Sequence, residues 1–338
     1  MLQLDKQIHK WLIAIVIAGV FVLAAGSAVY SLARPVNASA GDAIMVVVKP
    51  GMATQAIGEL LHDKGLIKNV LIFRVMAKME GMEGSLQAGE YSFSKAMTVR
   101  EIIGKLVRGE TAYRQFTIPE GFTIDQIAAL LEKNKLASAA KYKAVAAGYA
   151  PYDYIRPAAN VKYQAEGFVF PDTYRVAAGT SEAQLVKMMM SQFDSQFTPT
   201  MRERAAELGL SVREVVILAS LVEKEAQLAA ERPVIAGVFL RRLKLGMPLQ
   251  SCATIQYILG YPKPELTVQD TEIPSPYNTY QNMGLPPGPI ASPGLASIKA
   301  VLYPADTEYL YFFANKDGSH VFSRTYEEHL AAINRDDS

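Results

Sequence analysis

A single cysteine, Cys252, among 338 residues excludes an internal disulfide and a cysteine-based zinc cluster. Histidine is nearly as scarce. The four (His9, His62, His320 and His329) are scattered and form no H-E-x-x-H pair, so the chain offers no ligand set for a catalytic metal. No G-x-G-x-x-G or Walker-type loop is present, which leaves a nucleotide cofactor without support. Charge of one sign is also lacking: the formal net charge is +1, without a basic stripe, and points to no nucleic-acid partner. The expectation is an enzyme or binding protein without cofactor, on a chain long enough for two domains with cores of their own.

What the sequence does have begins with an apolar run. Residues 11–32 carry no charge and are rich in Ile, Val, Leu and Ala. As a helix this run spans roughly 33 Å at about 1.5 Å per residue, enough for the hydrocarbon core of a bilayer. Lys6 and Lys10 precede it, Trp11 and Tyr30 sit near its ends, and Arg34-Pro35 closes it. The basic flank predicts a cytoplasmic tail over 1–10, a transmembrane anchor over 11–33, a linker over 34–43 and export of everything beyond. A cleaved signal peptide is the rival reading, on the small residues Ala24-Ala25-Gly26-Ser27-Ala28. The run is longer than a usual signal core, which favours the anchor.

Residues 44–112 read as a small α/β subdomain. The β-branched run 44–48 ends at Pro50-Gly51. Ile57, Leu60 and Leu61 then recur at helical spacing before Gly65, a second helix follows over 69–78, Tyr91 and Phe93 alternate in a strand, and Thr98 caps a further helix. Gly51, Ile57, Leu60, Leu61 and Leu66 recur 70 residues on as Gly121, Ile127, Leu130, Leu131 and Leu136, each set after a strand and a proline. A strand–turn–helix pair of this kind resembles the LysM type of glycan-binding module, with a structural role as the alternative.

One helix organises the remainder. Ser211 followed by Glu214 is a capping box, and the pattern runs on to about Arg232. At about 100° per residue Glu225 falls on a face with Leu218, Leu221, Val222, Leu228 and Ala229, while Glu223 points the other way beside Val216, Ser220 and Gln227. A carboxyl on an apolar stripe loses hydration and holds its proton to higher pH, which suits a general acid. Pairing with Arg232 is the structural alternative. Beyond a second helix over 233–245, Pro- and Gly-rich loops carry Gln250, Asn278 and Tyr280, polar groups suited to hydrogen bonding a sugar. The tail reads as a hairpin over 309–323 and a short helix capped by Thr325, with His320 assigned a structural role.

ASLVEKEA, ERPVIAGVFLRRLKLGMPLQS, YNTY, GLPPGPIASPG, YLYFFANKDGSHVF and EGFVFPDTY together resemble the endolytic peptidoglycan transglycosylase family, also called MltG or YceG-like. The resemblance covers about 44–330 and implies an α+β fold: a membrane anchor, a LysM-like subdomain, and a mixed α+β catalytic domain of lytic transglycosylase type over 113–335. It implies peptidoglycan glycan strands as substrate, the cytoplasmic membrane and the peptidoglycan synthases as partners, and the second Glu of E-K-E, Glu225, as the catalytic acid–base. Where relatives commonly carry Asp after L-Q-[ST], this chain has Cys252. A lytic transglycosylase works with one carboxylate, whereas a lysozyme-type muramidase needs a second such as Glu166 or Asp172. Glu223 is a reserve candidate, and a non-catalytic wall-binding scaffold is the alternative from outside enzymes.

Overall fold

The computed structural model describes residues 19, 23–24, 26–155, 157–177, 179–263 and 265–336. The expected cytoplasmic tail, and most of the expected anchor, lie outside the described residues. The expected N-terminal transmembrane helix is corrected: a span needs about 20 consecutive apolar residues in one helix, and among the described residues no helix is long and apolar enough to cross a membrane. The described chain is mixed α and β. It divides into a first unit reaching to Arg114 and including Arg175–Gly179, and a second comprising Gln115–Tyr174 and the chain from Thr180 onward.

In the first unit, β1 (Ala43–Val48) pairs antiparallel with β2 (Gly89–Ser94), with Val46 opposite Tyr91. Alternation sends Val46, Val48, Tyr91 and Phe93 into the core. They meet Ile57 and Leu61 of α1 (Thr54–Asp63), Phe73 of α2 (Val70–Met79), and Ile102, Ile103 and Leu106 of α3 (Val99–Arg108). A capping box between Thr98 and Glu101 starts α3, and Gly109 ends it in the left-handed conformation.

The repeat seen in the sequence is a repeat of structure. After β3 (Tyr113–Thr117), helix α4 (Ile124–Lys133) begins and ends 70 residues beyond α1. The turn behind each helix matches bond for bond: Gly65 N–H to His62 O (2.8 Å) and Leu66 N–H to Leu61 O (2.9 Å), then Lys135 N–H to Glu132 O and Leu136 N–H to Leu131 O (both 2.9 Å). The left-handed position is glycine in the first copy (φ +66°) and Lys135 in the second (φ +54°), at a cost of roughly 1 kcal/mol that glycine avoids. A second helix follows in the same order, α5 (Ala139–Gly148), one residue short of the 70-residue offset, and then β4 (Thr173–Ala177), which pairs with β3. Both copies therefore read strand, helix, helix, strand.

The second unit continues with α6 (Glu182–Gln196), α7 (Pro199–Glu207), α8 (Val212–Glu225), α9 (Arg232–Lys244), α10 (Cys252–Leu259) and α11 (Leu295–Leu302). It closes with the hairpin β5 (Tyr311–Ala314) and β6 (His320–Ser323) and with α12 (Tyr326–Asp336). Helix α8 is its centre, packed against α7, α9, α10 and α11. Every residue from Val215 to Val222 is buried, so the two faces expected of an amphipathic helix do not exist: α8 is surrounded. Val216 and Ser220, placed by periodicity on the outer side, are as buried as Leu218 and Leu221. Ser220 keeps its polarity satisfied by donating to Ile217 O (2.7 Å) and accepting from Ile290 N–H (3.0 Å).

Candidate active site

Helix α8 starts as expected, with Ser211 and Glu214 in a capping box, but stops at Glu225 rather than near Arg232. Ala226 is extended, a short 3-10 turn occupies Ala229–Glu231, and α9 starts afresh with Pro233 in its first turn. A helix running through Pro233 would lose an N–H donor and clash with the carbonyl four residues back, so a break ahead of it is expected. Glu225 is thus the last helical residue. Leu218, Leu221 and Val222 lie buried behind it, whereas Leu228 and Ala229, assigned to the same face, are exposed and outside the helix.

The break turns the Glu225 carboxyl toward the start of α10. Ser251, the residue before that helix, donates its hydroxyl to Glu225 Oε1. The backbone N–H of Ala253 also favours the charged form of this carboxyl. Ser251 makes no capping bond of its own; the Glu225 carboxylate stands at the positive end of this helix instead, where its charged form is favoured. Ser251 is held in turn, its N–H donating to Thr279 Oγ1 (3.0 Å) and its carbonyl accepting from Thr254 Oγ1 (2.7 Å). The Thr254 and Thr279 hydroxyls lie 3.0 Å apart and share a bond.

These contacts act against burial. Desolvation pushes the Glu225 carboxyl above its usual range, while Ser251, the Ala253 N–H, His320 and Lys224 pull it back. Desolvation prevails, although the residue as a whole keeps part of its surface in solvent.

The other sequence candidates fall in different places. Tyr280 is half-buried, with its hydroxyl 3.1 Å from Cys252 Sγ; burial and the nearby Glu225 charge both keep it protonated. Gln250 is exposed, in a left-handed conformation (φ +48°), with its N–H on Thr279 O (3.1 Å). Asn278 is fully buried, and its amide is spent inside its own loop. It donates to Thr271 O and Ile273 O and accepts from Tyr280 N–H, all at 2.9 Å. Cys252 is exposed as a residue, but the atoms packed round its sulfur push the thiol up and the Glu225 charge adds to this, so it is no thiolate nucleophile.

Glu223 does not share this site's chemistry. It accepts from Gly294 N–H (3.0 Å) and Ser297 Oγ (2.7 Å) at the start of α11 and pairs with Arg232 at 3.6 Å. Arg232, the alternative partner of Glu225, is therefore Glu223's. The carboxylates that a muramidase would recruit are bonded elsewhere: Glu166 accepts from Ile124 N–H (3.0 Å) and Tyr257 OH (3.1 Å), Asp172 from Thr173 N–H and Gln192 Nε2 (both 2.7 Å). Sequence reasoning missed Ser251, Thr254 and Thr279. No local sequence signal marks any of the three, because their partners lie 25 to 28 residues away.

A family model described as the YceG-like family matches residues 46–335. The chain is 37% identical over 320 residues to an endolytic murein transglycosylase of Bacillus subtilis, covering 89% of this chain and 87% of that protein. It is 33% identical over 324 residues to an endolytic murein transglycosylase of Streptococcus pneumoniae, covering 87% of this chain and 58% of that longer protein. The crystal structure of a yceG-like protein from Listeria monocytogenes matches with a TM-score of 0.60 at 34% identity, over 86% of this chain and 99% of the other.

Proposed function

We infer, from the premise that this chain belongs to the YceG-like family, how its site performs the family's reaction. The protein is a peptidoglycan lytic transglycosylase of the endolytic type. It cleaves the β-1,4 bond between N-acetylmuramic acid and N-acetylglucosamine within a strand, without water, and leaves a 1,6-anhydro-muramic acid end. Glu225 is the general acid–base.

In the first half, Glu225 gives its proton to O4 of the leaving N-acetylglucosamine as the bond to C1 of the muramic acid breaks. The N-acetyl group of that muramic acid assists as internal nucleophile. In the second half, the Glu225 carboxylate takes the proton of the C6 hydroxyl as that oxygen closes on C1. The proton lent is returned, and no second carboxylate is needed. The observation that carries this assignment is the setting of the Glu225 carboxyl. Burial favours its protonated form for the first half, and the Ser251 hydroxyl and Ala253 N–H favour the carboxylate of the second.

Gln250, which is exposed, and Tyr280, which is half-buried, are assigned to sugar binding. Asn278 supports that role by fixing the loop that carries Tyr280. The first module holds the glycan strand, and cutting takes place outside the cytoplasmic membrane, beside the synthases, where it limits strand length. The test is mass analysis of fragments released from peptidoglycan by the wild-type and Glu225→Gln proteins. Anhydro ends from the wild type and none from a folded variant are expected. Normal cleavage by the variant removes Glu225 from its role, and reducing ends from the wild type make the reaction a hydrolysis.

A further inference from the structure

The second copy of the repeat carries a stretch of chain that the first lacks. Between its last helix and its last strand the first copy needs only residues 80–88, whereas the second uses 149–172 for the same connection. The start of this longer connection, Ala150-Pro151-Tyr152-Asp153-Tyr154, builds a stack of rings. Tyr152 lies against Tyr154 with centroids 5.2 Å apart and planes 5° from parallel. Both hydroxyls reach α6: Tyr152 donates to Ser191 Oγ (3.3 Å) and Tyr154 to Asp194 Oδ1 (2.8 Å). Arg202 of α7 completes the brace, its guanidinium 4.7 Å from the Tyr154 ring centre and 2.8 Å from the Asp194 carboxylate.

Packing accounts for Tyr154, which is wedged against Phe168 and Phe193 with centroids at 6.1 Å from each. It does not account for a second ring laid beside the first and tied down by its hydroxyl. Tyr152 is only partly buried, and with Pro151, Asp153, Ile155 and Pro157 it lines a surface cavity of about 230 Å³. That is smaller than a drug-sized pocket of roughly 300–1,000 Å³ and suits a single sugar ring. The lining suits one as well. The tyrosine and the prolines offer flat apolar surfaces to the C–H face of a pyranose. Asp153 is exposed and has no partner among the described residues, so its carboxylate is available to accept from hydroxyl and amide groups at the edge of the sugar. Because the tyrosine is already held, little side-chain freedom is lost when a ring settles on it.

We propose that this cavity is a sugar-binding subsite, in which Tyr152 carries one N-acetylated pyranose of a peptidoglycan strand and Asp153 accepts from its polar edge. It shares no residue with the cluster round Glu225. A hold on the strand away from the bond that breaks is as strong before the reaction as during it, so it acts on KM and not on kcat. Such a hold fits an enzyme that cuts within a strand, because sugars beyond the cleaved pair are always present to be bound. The proposal rests on glycan strands as the substrate, and not on the role of Glu225.

The probe is the β-1,4-linked tetramer of N-acetylglucosamine, which has no muramic acid to be cleaved and carries no peptide. The full chain with isotope-labelled tyrosine rings is titrated with it and followed by NMR, the Tyr152 signal being assigned from its absence in Tyr152→Phe. A saturable shift of the Tyr152 ring signal is expected. Binding that leaves this signal in place puts the sugar elsewhere and overturns the proposal, as does a failure of the tetramer to bind. Kinetics give a second measurement, with anhydro-end formation on peptidoglycan strands as the assay. Tyr152→Ala is expected to raise KM about fivefold with kcat little changed. Tyr152→Phe, which keeps the ring and loses only the bond to Ser191, stays near the wild type. An unchanged KM in a folded Tyr152→Ala protein makes the stack structural and overturns the subsite. If that variant does not fold, the ring titration of the wild type decides. A wild type that shows the Tyr152 shift but releases no anhydro ends would instead remove the reaction and leave the subsite standing.

Discussion

At Glu225 two demands on one carboxyl meet. On the proposed mechanism it holds a proton at neutral pH as an acid and carries a charge moments later as a base. Burial serves the first demand and the start of α10 the second, so the side chain is neither in plain hydrocarbon nor in a salt bridge. Ser251 is the residue where this balance can be shifted. Ser251→Ala removes a bond that favours the carboxylate while the Ala253 N–H stays in place. Glu225 then holds its proton to still higher pH: the alkaline limb of kcat/KM moves up, and kcat falls by about tenfold, the worth of one hydrogen bond to a charged group. An unmoved limb would leave Ser251 with no hold on the carboxylate. At this scale the sequence was legible in part. Glu225 stood out through the E-K-E motif, and its apolar surroundings were anticipated through Leu218, Leu221 and Val222. Ser251, Thr254 and Thr279 were not readable, because each acts through a partner 25 to 28 residues away, and a serine or threonine near a loop carries no mark of that.

The elements explain why two glutamates two residues apart do different work. Because α8 stops at Glu225, that side chain is aimed at α10, while Glu223, still inside the helix, is aimed at the start of α11. There it accepts from Gly294 N–H and Ser297 Oγ and offsets the charge of Arg232. Glu223 is thus a side-chain cap supplied from another helix. Glu223→Gln keeps the shape and loses the charge, with an expected cost of about 1 kcal/mol in denaturant unfolding and little change in the rate of anhydro-end formation. Glu225→Gln reverses the pattern, with activity lost and stability kept. Unimpaired unfolding together with lost activity in Glu223→Gln would exchange the two roles. Pro233 calls for a break somewhere ahead of it, but the stop at Glu225 itself was beyond the sequence signal. Ala226-Gln227-Leu228-Ala229-Ala230 consists of good helix formers, and the chain leaves the helix because Glu225 and Glu231 find partners, on α10 and on β6, that only the folded chain supplies. The repeat was more legible, because it is local: strand, left-handed glycine and helix recur on signals within a few residues of each other.

Across the second unit, Glu166 ties distant stretches of chain together and gives the whole molecule a pH dependence. Its buried carboxyl accepts from Ile124 N–H at the start of α4 and from Tyr257 on α10, the helix whose first turn holds Glu225. Burial raises it from an ordinary 4.5 to about 8, against the pull of those two bonds. The folded protein therefore keeps a proton that the unfolded chain gives up at lower pH. The stability this contributes is fully present below about 4.5 and is lost as pH rises through about 8. The change is at most about 5 kcal/mol across that window, before relaxation of the buried site reduces it. Glu225, raised in the same direction, adds to the slope. Glu166→Gln mimics the protonated carboxyl, able to accept from Ile124 N–H and to donate to the Tyr257 oxygen. The variant is expected to unfold with a flatter pH dependence, and at pH 8 to be more stable than the wild type. Denaturant midpoints of both proteins between pH 5 and pH 8 check this, and parallel curves would mean that Glu166 is ionised throughout. Since Glu166 and Glu225 both act on α10, loosening of that helix at high pH would also lower kcat. An activity loss that is absent in Glu166→Gln would separate this contribution from the titration of Glu225 itself.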